Sequence, residues 1–202
     1  MGKQVWKPGA MINPVPPVMV SCGSMESPNI ITIGWTGIIN TSPAMTYISV
    51  RPQRHSYNLI KESGEFVINL TTKDLVFACD YCGVKSGKLV NKFEDMKLTA
   101  SPASIVSAPV IEQSPINLEC KVKEIVPLGT HHMFIAEIVA VNVDDRVVDK
   151  DGRLMIEKCD LIAYAHGHYY ELGKMLGHFG YSVKKKKTKL KHINAKKGKQ
   201  HE

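Results

Sequence analysis

Residues 29–70 read NIITIGWTGIINTSPAMTYISVRPQRHSYNLIKESGEFVINL, and the succession of short periodic segments within them decides the fold class. At the centre, 44–51 (AMTYISVR) alternates with period two. Met45, Tyr47, Ser49 and Arg51 fall on one side; Ala44, Thr46, Ile48 and Val50 fall on the other. That is the side-chain spacing of a half-buried strand, and Pro52 ends it. Upstream, 30–36 (IITIGWT) alternates apolar and small residues and reads as a second strand, followed by loop chemistry at Asn40-Thr41-Ser42-Pro43. Downstream, 55–62 (HSYNLIKE) has a helical pattern, with Tyr57, Ile60 and Lys61 on one side and Gly64 as its stop. Residues 65–71 (EFVINLT) return to strand.

Working outward, 17–23 (PVMVSCG) reads as a strand before a turn at Ser27-Pro28-Asn29. Asp74 can cap a short helix that ends at Gly83, and 84–101 reads as a loop containing Gly and Lys. A short strand at 109–111 precedes two long ones, 115–127 and 131–143, joined through Pro127-Leu128-Gly129-Thr130. Asp151-Gly152 makes a final turn. Many short strands, tight turns and a few small helices make the chain mainly β with α: an antiparallel β-barrel with a few short helices.

The composition agrees. The chain has 202 residues, 44% hydrophobic and 22% charged, which excludes disordered, collagenous and coiled-coil classes. The formal charge of +7 is unevenly spread. Residues 184–202 hold nine lysines and one glutamate, leaving 17 basic and 18 acidic side chains in the first 183. The expected division is therefore a domain over 1–183 and a Lys-rich, disordered C-terminal tail over 184–202. Contact of that tail with nucleic acid or a membrane surface is the weaker alternative to a solvated terminus. No apolar run reaches the length of a membrane span, and MGKQVWKPGAMINP lacks the apolar region of a secretory signal. Five unevenly spaced cysteines then point to a reducing, cytoplasmic setting. The lone CxxC, Cys79 to Cys82, lies in a helix-like stretch and reads as buried small hydrophobes.

Motifs for several chemistries are missing. There is no GxGxxG, no GxxxxGK[ST], no nucleophile elbow and no HExxH. His131 and His132 are adjacent on a strand and point to opposite faces. His166 and His168 share a strand-like face, yet no third ligand is evident, and no metal is expected. A chain without an obvious acid, base or nucleophile suits chemistry carried by a bound cofactor. Arg51 at a strand end, Ser56 and the amides of 55–58 at a helix start fit a phosphate. Lys85, Ser86, Gly87, Lys88 and Lys92 add a second basic segment, and Trp35-Thr36-Gly37 offers amides and a flat neighbour for a ring system.

The order of these pieces resembles the flavin reductase-like family, the flavoredoxin branch in particular. The carriers are Gly34-Trp35-Thr36-Gly37; Ser49, Arg51, Ser56 and Tyr57 at the strand–helix junction; and the ExGEFVIN run. Asp80-Tyr81-Cys82-Gly83, Ser86-Gly87-Lys88 and Asn91-Lys92-Phe93-Glu94 follow, then Gly129-Thr130-His131 with Phe134 and Glu137. The likeness spans about 14–175. Thr130 stands where many members carry an acid, and Ala136 where Gly is usual.

The resemblance implies an FMN-binding split barrel working as a homodimer. It places Trp35, Thr36, Gly37, Ser49, Val50 and Arg51 along the isoalloxazine and ribityl chain. Arg51, Ser56, Tyr57, Ser86, Gly87 and Lys92 lie nearest the phosphate. His131 would contact a nicotinamide, and no side chain need be catalytic. The activity implied is electron transfer from NAD(P)H through FMN to a flavin, ferric or protein acceptor. The alternative is an FMN-binding electron-transfer or flavin-storage protein without NAD(P)H turnover.

Overall fold

The computed structural model describes residues 2–184. Among these, the residues up to Leu172 form one compact unit and those from Gly173 onward belong to a second. Apart from Lys184, the tail assigned to 184–202 lies outside the described residues.

The chain builds β1 (Val18–Gly23), β2 (Pro28–Ile33), β3 (Thr36–Thr41) and β4 (Ala44–Val50), then α1 (His55–Ser63) and β5 (Glu65–Leu70). Next come α2 (Val76–Val84), α3 (Lys92–Asp95), β6 (Ala100–Ser101) and β7 (Val110–Ile111). The long strands β8 (Ile116–Pro127) and β9 (His132–Val143) follow, and β10 (Ile162–Ala165) and β11 (His168–Glu171) close the unit. Seven strands form one antiparallel sheet in the order β2-β1-β5-β8-β9-β4-β3. The mainly-β barrel class with a few short helices is therefore the observed one.

The period-two reading of β4 sets the core. Thr46, Ile48 and Val50 are buried, whereas Met45, Tyr47 and Ser49 are half-buried on the other face. Ile48, Val50, Phe66, Phe134 and Val20 meet in the main cluster, onto which α1 lays Tyr57 and Ile60. Truncating a fully buried ring such as Phe134 to Ala costs about 3–5 kcal/mol through lost burial and the cavity left. A second cluster, with Met19, Ile30, Cys79, Cys82 and Phe93, fixes α2 and α3 against the opposite face of β1 and β2. All five cysteines are unpaired and buried, so the CxxC serves as packing.

Carboxylates fasten the loop before β7. Glu119 on β8 is fully buried and accepts from the amides of Ser104 at 2.8 Å, Ile105 at 2.7 Å and Val106 at 3.0 Å, and from the Asn142 amide at 2.7 Å. The Ser104 hydroxyl donates to the same carboxylate. Glu65 holds Ser107 through its amide and its hydroxyl, both at 2.8 Å.

Several sequence expectations are corrected. The strand expected at 30–36 stops at Ile33, and Thr36–Thr41 forms a separate strand where a loop was expected at its end. The apolar alternation of β3 was masked because Ile38 and Ile39 are exposed on an edge strand. Lys61 is exposed, and the buried third residue of α1 is Ser56. Asp74 caps nothing; it lies within a 3-10 turn, Lys73–Leu75, that feeds α2. The 84–101 loop contains α3, capped by the Asn91 side chain on the amides of Phe93 and Glu94. His166 and His168 share no strand face. His166 and Gly167, with φ 48° and 88°, make the turn between β10 and β11. No cluster of three metal-ligating side chains occurs among the described residues.

Candidate functional site

Two cavities meet where β2, β4, α1 and α2 converge. One, of 330 Å³, is lined by the cations Arg51, Arg54, Lys85 and Lys92, with the His55 imidazole, Ser56, Ser86 and Gly87. No carboxylate is among its lining residues. The other, of 380 Å³, has Trp35, His131, Tyr164 and Tyr169 as aromatic walls, with Ser49, Val50 and Arg51 from the end of β4. Ile31, Arg51 and Arg54 line both, so the cationic end continues into the aromatic end.

Local structure explains the cationic end. Pro52 stops β4 and the chain turns, Arg54 N–H donating to the Arg51 carbonyl at 3.0 Å. Arg54 then takes the N-cap position of α1 in extended conformation, and its side chain caps nothing. The positive end of α1 therefore opens beside two guanidinium groups. Ser56 sits on the buried face of the first turn. Its hydroxyl oxygen accepts from the Asn29 amide at 2.7 Å, and its hydroxyl proton lies beside the buried Cys22 thiol.

Lys92 is 4% exposed and donates to the carbonyls of Ile30 and Cys82, each at 2.7 Å. An ammonium has three protons, so one remains for the cavity that Lys92 lines. Burial holds its pKa below the usual lysine value, opposed by the neighbouring thiols of Cys82 and Cys22. Gly87 is where it is because nothing larger fits. A Cβ there would lie 2.1 Å from Asn29 Oδ1 and 3.0 Å from the His55 ring. The glycine lets the basic loop close over Asn29 and the start of α1.

At the aromatic end the Trp35 carbonyl accepts from the Ser49 amide at 3.0 Å, which holds the bend between β2 and β3 against β4. Trp35 is 47% exposed, so it is not a core residue, and its ring lies 4.3 Å from that of His131. Burial and then the Arg51 and Arg54 charges push the His131 pKa down, so the imidazole is neutral at neutral pH. Asp80 is the one carboxylate among the lining residues, and it accepts from the Tyr169 hydroxyl at 3.1 Å. Desolvation, with nearby Cys79 and Asp80, pushes the Tyr169 phenol pKa up, out of any titrating role.

Of the residues singled out in the sequence, Trp35, Ser49, Val50, Arg51 and His131 line the aromatic cavity, and Arg51, Ser56, Ser86, Gly87 and Lys92 line the cationic one. Three lie outside both. Thr36 and Gly37 are spent on the β3–β4 hairpin: Thr36 Oγ1 donates to the Tyr47 carbonyl at 2.6 Å, and the Gly37 carbonyl accepts from Thr46 Oγ1 at 2.9 Å. Tyr57 points into the core, where its hydroxyl shares a 2.7 Å hydrogen bond with His132 Nδ1. The sequence reading missed Arg54, His55, Asp80, Tyr164 and Tyr169 as lining residues. Arg54 and His55 lay inside the quoted PQRHS turn and were legible there; the tyrosines arrive from a hairpin distant in sequence.

Comparison with known proteins places these cavities in a family. The pattern of the flavin reductase like domain matches residues 11–173. The chain belongs to this family. A flavoredoxin of Desulfovibrio vulgaris (Miyazaki F) is 30% identical and superposes with a TM-score of 0.84 over 91% of this chain and all (100%) of its own. A flavoredoxin of Methanosarcina acetivorans, 24% identical, gives a TM-score of 0.81 over 91% of this chain and 100% of its own, and shares the fold. An uncharacterized protein of Archaeoglobus fulgidus is 35% identical over 129 residues, 64% of this chain and 72% of its own. The split-barrel fold expected from the sequence is thus the fold of these flavin reductase-like neighbours. No helix among the described residues is long and apolar enough to cross a membrane.

Proposed function

We propose that the protein is an FMN-containing oxidoreductase that passes electrons from NAD(P)H to a flavin, ferric or protein acceptor. The observation that carries this reading is the continuity of a carboxylate-free cationic cavity with an aromatic one through Ile31, Arg51 and Arg54. A planar ring bearing a phosphorylated side chain matches that sequence of environments. Family membership supports the flavin, and the flavoredoxin likeness supports electron transfer.

The residues present fit FMN. Arg51, Lys92 and the Ser56 hydroxyl offer donors to a phosphate, and the Gly87 loop approaches too closely for any side chain. Ser49 and Val50 would lie along the ribityl chain, and Trp35 beside the ring. When bound, FMN supplies hydride-accepting redox chemistry. The chain supplies the rest: Arg51 and Lys92 bind, Trp35 and the two tyrosines shield the ring from water, and neutral His131 presents a flat face to a nicotinamide. A homodimer fits the exposed edge strand β3 with Ile38 and Ile39. A reducing, cytoplasmic setting fits five unpaired thiols.

The test is the visible absorption spectrum of the purified protein and of the supernatant after heat denaturation. The reading expects flavin bands and about one FMN released per chain. A colourless protein that fails to take up FMN would overturn it. Steady-state oxidation of NADH and NADPH by the holoprotein then separates an enzyme from an electron carrier without turnover.

A further inference from the structure

We propose that His55 is a proton-coupled ligand of the phosphate, so that the cationic cavity takes up a proton when it binds a dianion. The inference rests on the FMN reading and goes beyond it.

His55 is the first residue of α1 and lines the cationic cavity. It is surrounded by positive charge from every element that packs around it. Arg51 and Arg54 come from the turn before α1, Lys85 and Lys88 from the loop after α2, and Lys92 from α3. The rest of the lining, Ile31, Gln53, Ser56, Cys82, Ser86 and Gly87, carries no charge at neutral pH. Its ring is fixed from one side by the Gly87 loop, close to where a Cβ of residue 87 would stand. In that field a second cation is disfavoured. Burial, Lys88 and Lys92 together hold the imidazole pKa below its ordinary 6.5.

A phosphate dianion reverses the field at this ring. It brings two negative charges into a cavity whose lining residues carry none, and the imidazolium then becomes a donor to it. The sign follows from linkage. Binding raises the His55 pKa, so between the free and bound values each binding event takes up a proton, and affinity falls as pH rises through that window. FMN's own second ionisation, near pH 6, contributes with the opposite sign and is largely complete at pH 7.5. Above pH 7 the remaining uptake belongs to the protein. His131 is the competing source, because it too is neutral and faces Arg51 and Arg54. It lines the aromatic cavity and not the cationic one.

The experiment is calorimetric titration of the apoprotein with FMN at pH 7.5 in two buffers of different ionisation enthalpy. Riboflavin, His55→Gln and His131→Gln are the controls. The expected result is uptake of a fraction of a proton, rising towards about one as the pH is lowered to 7. Uptake should persist in His131→Gln, be abolished in His55→Gln, and be missing with riboflavin. Uptake that survives in His55→Gln overturns the assignment: its loss in His131→Gln would point to His131, and its survival there too to Lys92, whose pKa burial also lowers. FMN binding with no uptake overturns it as well. Failure of the wild-type protein to bind FMN at all overturns the cofactor reading itself. Should His55→Gln fold poorly, NMR titration of the His55 ring in the wild-type protein decides the matter. Its pKa must rise on addition of FMN, and an unchanged or lowered value refutes the proposal.

Discussion

The Glu119 nest and the cationic cavity are built from the same idea and end differently. Around Glu119, backbone amides of Ser104, Ile105 and Val106, a hydroxyl and the Asn142 amide converge on an anion that the chain itself provides. Around Arg51, Ser56 and Lys92, guanidinium, hydroxyl and ammonium donors converge on a space that no carboxylate of the chain lines. Where the fold needs a fixed loop, it supplies the anion in the sequence. Where donors are gathered without one, the anion must come from outside. A larger cavity, between α2, α3 and the 144–160 segment, makes the same point from the other direction. At 730 Å³ it exceeds both site cavities, yet its lysines and arginine are interspersed with Asp74, Asp95, Asp144 and Asp160, so no single charge dominates. Convergent chemistry marks a site better than volume does.

The contrast is most sharply tested by removing the donors. Arg51→Ala combined with Lys92→Ala should weaken FMN binding by at least about 100-fold, roughly 3 kcal/mol, by loss of charge-assisted bonds. Equilibrium dialysis measures it, and retained flavin stoichiometry would sink the phosphate-end assignment. Lys97→Ala in the 730 Å³ cavity serves as the matched control and should leave FMN affinity unchanged.

Removing the built-in anion should instead cost stability. Glu119→Gln turns one of the two accepting oxygens into an NH2 donor and leaves the amides on that side without an acceptor, a loss of about 2–3 kcal/mol in urea denaturation with FMN affinity per folded molecule unaltered. The pH dependence has a definite sign. Hydrogen bonds from Ser104, Asn142 and Ile105 outweigh desolvation and hold the Glu119 carboxyl at about 2, below its usual 4.5. Its contribution is therefore full above about pH 4.5 and is lost as the pH falls toward 2. An acid transition identical in wild type and Glu119→Gln would break the comparison.

Smaller effects sharpen it. Gly87→Ala pushes a methyl into Asn29, which is itself bonded to Ser56, and should lower FMN affinity about tenfold, near 1.4 kcal/mol, with less effect on the melting temperature. Tyr169→Phe removes one hydrogen bond to Asp80 and should cost about 1 kcal/mol or less, read as a small rise in flavin dissociation rate.

Much of this was legible in the chain. The alternation of 44–51 gave β4 its buried face, and PQRHS at 52–56 marked the strand–helix junction that carries Arg51 and Ser56. Ser86, Gly87 and Lys92 were found by their spacing and the family likeness, and all three line the cationic cavity. What failed has physical reasons. Edge strand β3 does not bury its isoleucines, so periodicity gave no warning of it. The family resemblance set Tyr57 beside Ser56 at the phosphate end, but on a helix adjacent residues point about 100° apart, and that rotation carries the Tyr57 ring into the core. Asp80, Tyr164 and Tyr169 meet only because β10 and β11 return to α2, a long-range pairing with no local signature.

Lys92 has one consequence outside the site. Its two carbonyl partners sit on separate elements, Ile30 on β2 and Cys82 on α2, so its ammonium is placed only after those elements have docked. A chain with α2 undocked has no cradle, and the anion binds the native state alone. On the proposed FMN reading, cofactor supply then sets abundance as well as activity. At a free concentration one hundred times the dissociation constant, binding adds about 2.7 kcal/mol to native stability. In a cell starved of the cofactor that margin disappears, and the apoprotein becomes a substrate for proteolysis. The expression level itself thus reports on the flavin pool.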